Sequence, residues 1–292
     1  MKRNKLNILT AVLALLLLLT GCINLEPEEE GTTVPGDVNP IDKNAIGNHN
    51  TMEYTYLTDV NVAILTTNLD PTYLLLANKQ SELDAGYVPA NMTMLTCATL
   101  QSARDYELDS RAAAALYAML AEMQAAGVSD ILVASAYRSY EYQVNLYNKY
   151  LELEQSGISD EARRTLGEDY IKANYLDKKI FRLSFADART VVQSYSALPG
   201  QSEHQTGLCV DFATKAEQEP LTEAFELTAA YQWLSQNAYK FGFILRYPKG
   251  KEDITGYTYE PWHYRFVGRE AATDIYVGQM TLEQYLQLTS NP

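Results

Sequence analysis

Histidine is scarce in this 292-residue chain, which has only three, together with three cysteines and two tryptophans. So few cysteines exclude a small scaffold held together by disulfides, and a hydrophobic content of 47% excludes a chain that is disordered throughout. Basic residues are also few, because 23 Lys and Arg stand against 37 Asp and Glu, for a formal net charge of −14. Such a chain repels polyanions, and we expect no binding to nucleic acid.

Motifs of several enzyme classes are absent from the sequence. No G-x-G-x-x-G follows a strand-like run and no P-loop occurs, so no phosphate-bearing cofactor is implied. The G-x-S-x-G nucleophile elbow and a suitable S-x-x-K box are missing as well, which argues against a serine carboxypeptidase. There is no internal repeat and only one long apolar run, at the N-terminus.

That N-terminal segment has the parts of an export signal. Basic residues at positions 2, 3 and 5 precede an apolar run, Ile8–Leu19, which is short for a membrane span of about 20 residues. Leu19-Thr20-Gly21-Cys22 follows at once, and the whole segment resembles a bacterial lipoprotein signal. The resemblance implies a signal peptide at 1–21, lipidation of Cys22, and a mature protein anchored by lipid outside the cytoplasmic membrane.

Residues 22–51 are rich in Glu, Pro, Gly, Asn and Thr and have almost no periodic apolar residues. Such a segment buries too little surface to offset its ordering entropy, so we predict a flexible tether. His49 lies in this segment, and we expect it to be a solvated side chain without a role. Residues 52–292 have the composition of a folded domain.

The domain alternates helical and strand-like patterns, which predicts an α+β fold with a small sheet and flanking helices. The predicted helices are 109–127, 140–154, 160–175, 187–195 and 222–239, and the predicted strands are 131–134, 208–212, 243–246 and 263–267. Two short apolar runs, 61–66 and 73–78, also have the length of strands.

Two of the three histidines lie in unusual local sequences. Ser202-Glu-His204-Gln-Thr-Gly207-Leu-Cys-Val-Asp211 places a histidine and an aspartate seven positions apart, and Glu260-Pro-Trp-His263 adds a second histidine with a nearby carboxylate. A catalytic zinc site needs three protein ligands of these types. Pro261 excludes the helical geometry of an H-E-x-x-H motif, so the site must be assembled on loops and strands.

These spacings resemble the zinc-dependent D-alanyl-D-alanine carboxypeptidases of the VanY type, which are related to the VanX dipeptidases and to some phage peptidoglycan peptidases. The resemblance extends from about residue 73 to the C-terminal region. It includes Ser135-Ala-Tyr-Arg138-Ser-Tyr-Glu-Tyr-Gln143 and an almost continuous match over 241–265. It implies a mostly antiparallel sheet with the zinc site in a cleft on it.

Carried over residue by residue, the resemblance makes His204, Asp211 and His263 the zinc ligands and Glu260 the general acid/base. The chemistry agrees, because a carboxylate beside a zinc-activated water can accept its proton and return it to the leaving amine. The alternative for Glu260 is a solvated loop carboxylate.

The same resemblance assigns Arg138 to transition-state stabilisation and to substrate binding. Ser202 and Gln143 would help to hold the C-terminal end of the substrate. A guanidinium offers a fixed fork of donors that suits an oxyanion or a carboxylate. The alternatives are a surface salt bridge for Arg138 and an exposed helical position for Gln143.

Cys209 departs from the family, which usually has a small residue there, commonly Ala. Two residues before Asp211 on a strand, it projects to the same side as that ligand. We expect a small buried thiol, with a disulfide to Cys97 as the alternative in an extracytoplasmic setting. The substitution of Asp84-Ala85 for the more usual Leu-Pro affects a loop only.

The resulting hypothesis is a zinc carboxypeptidase that removes the C-terminal D-alanine from peptidoglycan stem peptides. An L,D-carboxypeptidase acting on tetrapeptide stems would use the same chemistry, and an endopeptidase would share the metal ligands. The alternatives from other classes are a non-catalytic peptidoglycan-binding lipoprotein and a tethered solute-binding protein.

Overall fold

The computed structural model describes residues 44, 46–96, 105–215 and 221–290. The predicted signal peptide, Cys22, most of the predicted tether and Cys97 lie outside the described residues. Among the residues described, no helix combines the length and the hydrophobicity needed to cross a bilayer.

Six short strands in the described part form two antiparallel sheets. The strands are β1 (Met92–Leu95), β2 (Tyr106–Asp109), β3 (Leu132–Ser135), β4 (Cys209–Ala213), β5 (Phe243–Leu245) and β6 (His263–Phe266). One sheet is the pair β1-β2, and the other has four strands in the order β3-β4-β6-β5.

Helices surround these sheets, and this confirms the predicted α+β fold with a small, mostly antiparallel sheet. They are α1 (Ser110–Ala125), α2 (Tyr140–Ser156), α3 (Asp160–Leu166), α4 (Glu168–Ile171), α5 (Phe185–Tyr195), α6 (Ala229–Asn237), α7 (Glu252–Thr255), α8 (Arg269–Gly278) and α9 (Leu282–Ser290). Side-chain caps begin several of them. Asp109 accepts the N–H groups of Arg111 and Ala112 at the start of α1, and Ser139 accepts that of Tyr142 at the start of α2.

Strand β4 is buried on both faces. Val210 and Phe212 belong to the main hydrophobic core, which also contains Leu116 and Met119 of α1. Alternate residues of a strand face opposite sides, so Cys209 and Asp211 point away from this core. The fold therefore gives the central strand one apolar face and one face that carries polar groups.

The long helical patterns are interrupted where the local sequence disfavours a continuous helix. The pattern at 160–175 is split at Gly167, whose φ of 86° lies in the left-handed region. The pattern at 222–239 is split at Thr228, which is extended and caps α6 through its side chain.

The two apolar runs of strand length at 61–66 and 73–78 do not form strands. The first run contains the 3₁₀ helix Val62–Ile64, and the second begins at the end of the 3₁₀ helix Pro71–Leu74. Asn61 and Asp70 start these turns by accepting backbone N–H groups two residues further on. Periodicity did not predict β1, β2, α8 or α9.

His49 is not the solvated side chain predicted for it. The backbone N–H groups of Gly47 and His49 donate to the carboxylate of Asp274 at 3.0 and 3.1 Å, and His49 Nδ1 lies 3.0 Å from its Oδ2. Asp274 is fully buried on α8. The tail of the predicted tether is thus attached to the domain, because a buried carboxylate needs hydrogen-bond donors.

Candidate metal centre

The motif around His204 is a short 3₁₀ helix, Glu203–Thr206, joined to β4 by a tight turn. The turn requires glycine at Gly207, because its φ is 69° and a Cβ there would lie 2.8 Å from Met92 Sδ. This turn brings His204 back beside the strand that carries Asp211.

The three predicted zinc ligands lie together. His204 Nε2 is 3.1 Å from Asp211 Oδ2, and His263 Nδ1 is 2.9 Å from Asp211 Oδ1. All three side chains are buried. Strand pairing explains the second contact, since Asp211 on β4 is directly opposite His263 on β6.

The outer nitrogen of each imidazole, which is the one that points away from Asp211, already has a hydrogen-bond partner. His204 Nδ1 donates to the carbonyl oxygen of Ala136 at 2.5 Å, and His263 Nε2 donates to Glu203 Oε2 at 3.4 Å. His204 Nε2 and His263 Nδ1 therefore both face the Asp211 carboxylate, and each donates to it when its imidazole is protonated. Two such imidazoles and one carboxylate are a donor set that fits zinc.

Electrostatics favour the ionised form of the Asp211 carboxylate. Burial alone would raise its pKa, but the adjacent His204 and His263 hold it well below the usual range. A carboxylate that stays ionised is the form that binds a cation.

Glu203 is the centre of a buried charge network behind the site. Its Oε1 accepts from Arg246 Nε and from Arg265 Nη1, both at 2.7 Å, and Arg246 also pairs with Glu283. Burial opposes its ionisation, but the two guanidinium groups keep its pKa far below the usual value. Glu203 is thus a fixed anion that orients His263.

Glu260 lies at the edge of the centre, with Oε2 3.8 Å from His263 Nδ1. Its side chain is 13% exposed, so it can be reached from solvent. Burial raises its pKa to about 7, against the lowering effect of His263. A carboxyl group with this pKa exchanges protons readily near neutral pH.

Arg138 follows β3 and is joined to the site through the backbone, where its N–H donates to the His204 carbonyl oxygen at 3.2 Å. The side chain is half-buried, and its Nε has no hydrogen-bond partner. The pKa values of His204 and Glu260 are raised overall, and the positive charge of Arg138 is one of the effects that oppose this rise.

Ser202 and Gln143, which were predicted with Arg138 to bind the substrate, are both buried. Ser202 directly precedes the 3₁₀ helix that carries His204. Gln143 is not an exposed helical residue, since its Nε2 donates to the Ala197 carbonyl oxygen at 2.8 Å while its Oε1 has no partner. Gln143 therefore fixes the Ala197 loop in this structure with one of its two amide hydrogens.

Cys209 is a free, fully buried thiol. Its Sγ, one ring nitrogen of His204 and one of His263 lie within 4.8 Å of one another. Burial opposes ionisation of the thiol, but the two imidazoles outweigh it and lower the pKa to about 7.

Sequence reasoning missed the supporting residues of the centre. Glu203, Arg246 and Arg265 were given no role, although each lies within or beside a motif that was used. The available signal was a charged residue in an otherwise apolar stretch, such as Arg246 after Phe-Ile-Leu, because a buried charge requires a partner.

Comparison with known proteins identifies the class. The VanY family, described as D-alanyl-D-alanine carboxypeptidase, matches residues 105–269. The chain is 33% identical over 240 residues to the putative carboxypeptidase YodJ of Bacillus subtilis, covering 81% of this chain and 76% of that protein. It is 34% identical over 214 residues to a D-alanyl-D-alanine carboxypeptidase of Enterococcus faecalis, covering 73% of this chain and 65% of the relative.

Solved structures agree with this comparison. The LdcB LD-carboxypeptidase superposes with a TM-score of 0.56 at 32% identity, covering 75% of this chain and 87% of its own. A mutant of the vancomycin-resistance D,D-pentapeptidase VanY, in complex with Zn(II), gives 0.54 at 32% identity, with coverages of 74% and 99%.

The fold and these matches define a metallocarboxypeptidase. The chain belongs to the VanY family of D-alanyl-D-alanine carboxypeptidases, as its motifs predicted. The Zn(II) complex of a relative confirms the predicted cofactor.

Proposed function

We propose that the protein is a zinc carboxypeptidase that removes the C-terminal D-alanine from peptidoglycan stem peptides ending in D-Ala-D-Ala. The observation that carries this proposal is the convergence of His204 Nε2 and His263 Nδ1 on the Asp211 carboxylate, with Glu260 beside them. A VanY relative has been solved with D-alanine-D-alanine, at 32% identity and a TM-score of 0.54.

His204, Asp211 and His263 would hold the zinc. Zinc in such a site polarises the scissile carbonyl and makes water acidic enough to be a nucleophile at neutral pH. Glu260 accepts the proton of the attacking water at its carboxylate and passes it to the leaving amine. Its pKa of about 7 suits both directions of this transfer.

Arg138 supports exopeptidase action. Its unpartnered Nε and its proximity to His204 and Glu260 suit either the developing oxyanion or the free carboxylate of a terminal residue. An internal peptide bond offers no carboxylate there. Ser202 lies next in sequence to the His204 helix and is proposed to help hold the same end of the substrate.

An L,D-carboxypeptidase acting on tetrapeptide stems is the second candidate. The match to the LdcB LD-carboxypeptidase is as good as the match to VanY. The metal ligands do not distinguish the two activities, because pocket shape decides which stereocentre precedes the cleaved bond.

We also propose that the protein acts outside the cytoplasmic membrane and is held there by lipid on Cys22. The support is the order of basic residues, apolar run and Leu-Thr-Gly-Cys at the N-terminus. A membrane-fraction assay of the Cys22→Ala variant tests this, and unchanged membrane association would contradict lipid anchoring at this residue.

The activity is tested by incubating the full-length protein with a stem pentapeptide ending in D-Ala-D-Ala and, separately, with the matching tetrapeptide. Chelator-sensitive release of D-alanine from the pentapeptide, measured by mass spectrometry, supports the main proposal. Release from the tetrapeptide alone establishes the second candidate. No release from either peptide by the zinc-loaded protein would overturn both.

A further inference from the structure

Cys209 lies beside the metal centre, and the proposed function gives it no role. It precedes Asp211 by two residues on β4 and therefore lies on the same face of the sheet. Its side chain is fully buried, and its sulfur and the nearby nitrogens of His204 and His263 lie within 4.8 Å of one another.

The separation between the sulfur and the ring nitrogens can be compared with the bond lengths of zinc. The outer nitrogens of His204 and His263 are engaged by Ala136 and Glu203, so the nitrogens left for a metal are those that face Asp211. Zinc binds nitrogen at about 2.1 Å and sulfur at about 2.3 Å, so donors that share one ion lie less than about 4.4 Å apart. The sulfur and the two ring nitrogens of the cluster lie within 4.8 Å of one another, a separation comparable with this limit.

The thiol of Cys209 is free. Its cross-strand partner is Arg265, whose guanidinium group donates to Glu203 and to the carbonyl oxygens of Tyr73 and Leu75. The sulfur itself lies within 4.8 Å of a ring nitrogen of His204 and of one of His263.

We propose that Cys209 is a fourth protein ligand of the metal in this chain. On binding, the thiol loses its proton to solvent and the thiolate sulfur donates to the ion beside His204, Asp211 and His263. This rests on the metal site of the proposed function. Four protein donors hold zinc more tightly than three, and they fill the tetrahedral position that a catalytic site ordinarily keeps open. Turnover then requires either a fifth coordination position on the zinc for water or substrate, or release of the Cys209 sulfur from the zinc.

The test is X-ray absorption at the zinc edge of the full-length, zinc-loaded protein. We expect one sulfur scatterer at about 2.3 Å in addition to nitrogen and oxygen. In Cys209→Ala the sulfur scatterer should disappear while zinc remains bound. Cys97→Ala is the matched control, and it should keep the sulfur signal.

A competition experiment with a chelator gives a second readout. Cys209→Ala should lose zinc at a chelator concentration lower by on the order of tenfold or more. Zinc bound to the unmodified protein by nitrogen and oxygen alone would overturn the inference while leaving the proposed function intact. Failure to bind zinc at all would overturn both. The spectrum of the unmodified protein decides the question even if the alanine variant does not fold.

Discussion

Asp211 and His263 are paired directly across two antiparallel strands, and the imidazole Nδ1 lies 2.9 Å from the carboxylate Oδ1. A shift of one residue in this register would turn one of them to the opposite face of the sheet. The pairing of β4 with β6 is therefore itself a determinant of the metal centre, and Val210 opposite Tyr264 in the core maintains it from the other face.

Replacement of Glu260 by glutamine should abolish turnover without loss of zinc. The variant keeps the ligands and the shape of the side chain but cannot accept a proton, so we expect kcat to fall by about 10²–10⁴-fold. Asp253→Asn, at an exposed position of α7, is the control and should retain full activity. Normal activity of Glu260→Gln would contradict the proposed mechanism.

Removal of either ligand histidine should remove the metal. His204→Ala and His263→Ala each leave two donors, so zinc content after dialysis should fall well below stoichiometric. His49→Ala, the third histidine of the chain, is paired with Asp274 and should keep its zinc. Stoichiometric zinc in His204→Ala or His263→Ala would exclude that residue as a ligand.

The Glu203 side chain should matter for metal affinity although it is not a ligand. Glu203→Gln weakens the hydrogen bond that orients His263, and loss of such a partner typically costs 10–100-fold in metal affinity, on the order of the effect we expect. Chelator competition measures it. An unchanged zinc affinity would mean that His263 is oriented without Glu203.

Complete removal of that carboxylate should also destabilise the fold. Glu203→Ala leaves Arg246 and Arg265 without their shared buried partner, which costs about 3–5 kcal/mol. Denaturant unfolding of Glu203→Ala beside the unmodified protein measures this loss. Equal stabilities of the two proteins would show that the charge network contributes little.

Zinc affinity should fall as the pH is lowered. Burial alone disfavours protonated imidazoles, but Asp211 raises the pKa of His204, and Cys209 and Asp211 raise that of His263. Below these raised pKa values zinc must displace protons, so affinity decreases by about tenfold per pH unit for each proton displaced. A pH series of zinc titrations measures the slope, and a flat profile would contradict this protonation scheme.

The contact of Gly47 and His49 with Asp274 should protect the start of the folded domain. Asp274→Ala removes the acceptor of all three hydrogen bonds, so proteolysis within 46–52 should accelerate. Mass spectrometry locates the cleavage sites, with exposed Asp253→Ala as the control. Equal cleavage of both variants would show that Asp274 does not hold this segment.

The proposed metal-ligand set could be named from the sequence because scarce residues stand in a specific order. The chain has three histidines, and two of them lie near Asp211 and Glu260 in the sequence, so few sets of metal ligands could be assembled. The α1 helix was predictable for a similar reason, since an apolar stripe follows the cap Asp109.

Long-range partners were not predictable in this way. Asp274 lies 225 positions from His49, and no local pattern signals that a polar segment will find a buried carboxylate so distant in sequence. The same holds for Glu203, whose partners are Arg246, directly after β5, and Arg265 on β6. Short apolar runs such as 61–66 and 73–78 have the length of strands without forming them, because runs of four to six residues carry no distinctive period.

The hydrogen bonds of Arg265 to the Tyr73 and Leu75 carbonyl oxygens fix the smallest fragment that can be expected to work. The family match begins at residue 105, but a protein cut there would lack both acceptors. Arg265 would lose its hydrogen bonds to these two carbonyl oxygens and keep the one to Glu203. The position of Glu203 would then be less well fixed. Expression boundaries for this protein are therefore set by a segment that precedes the residues covered by the family match.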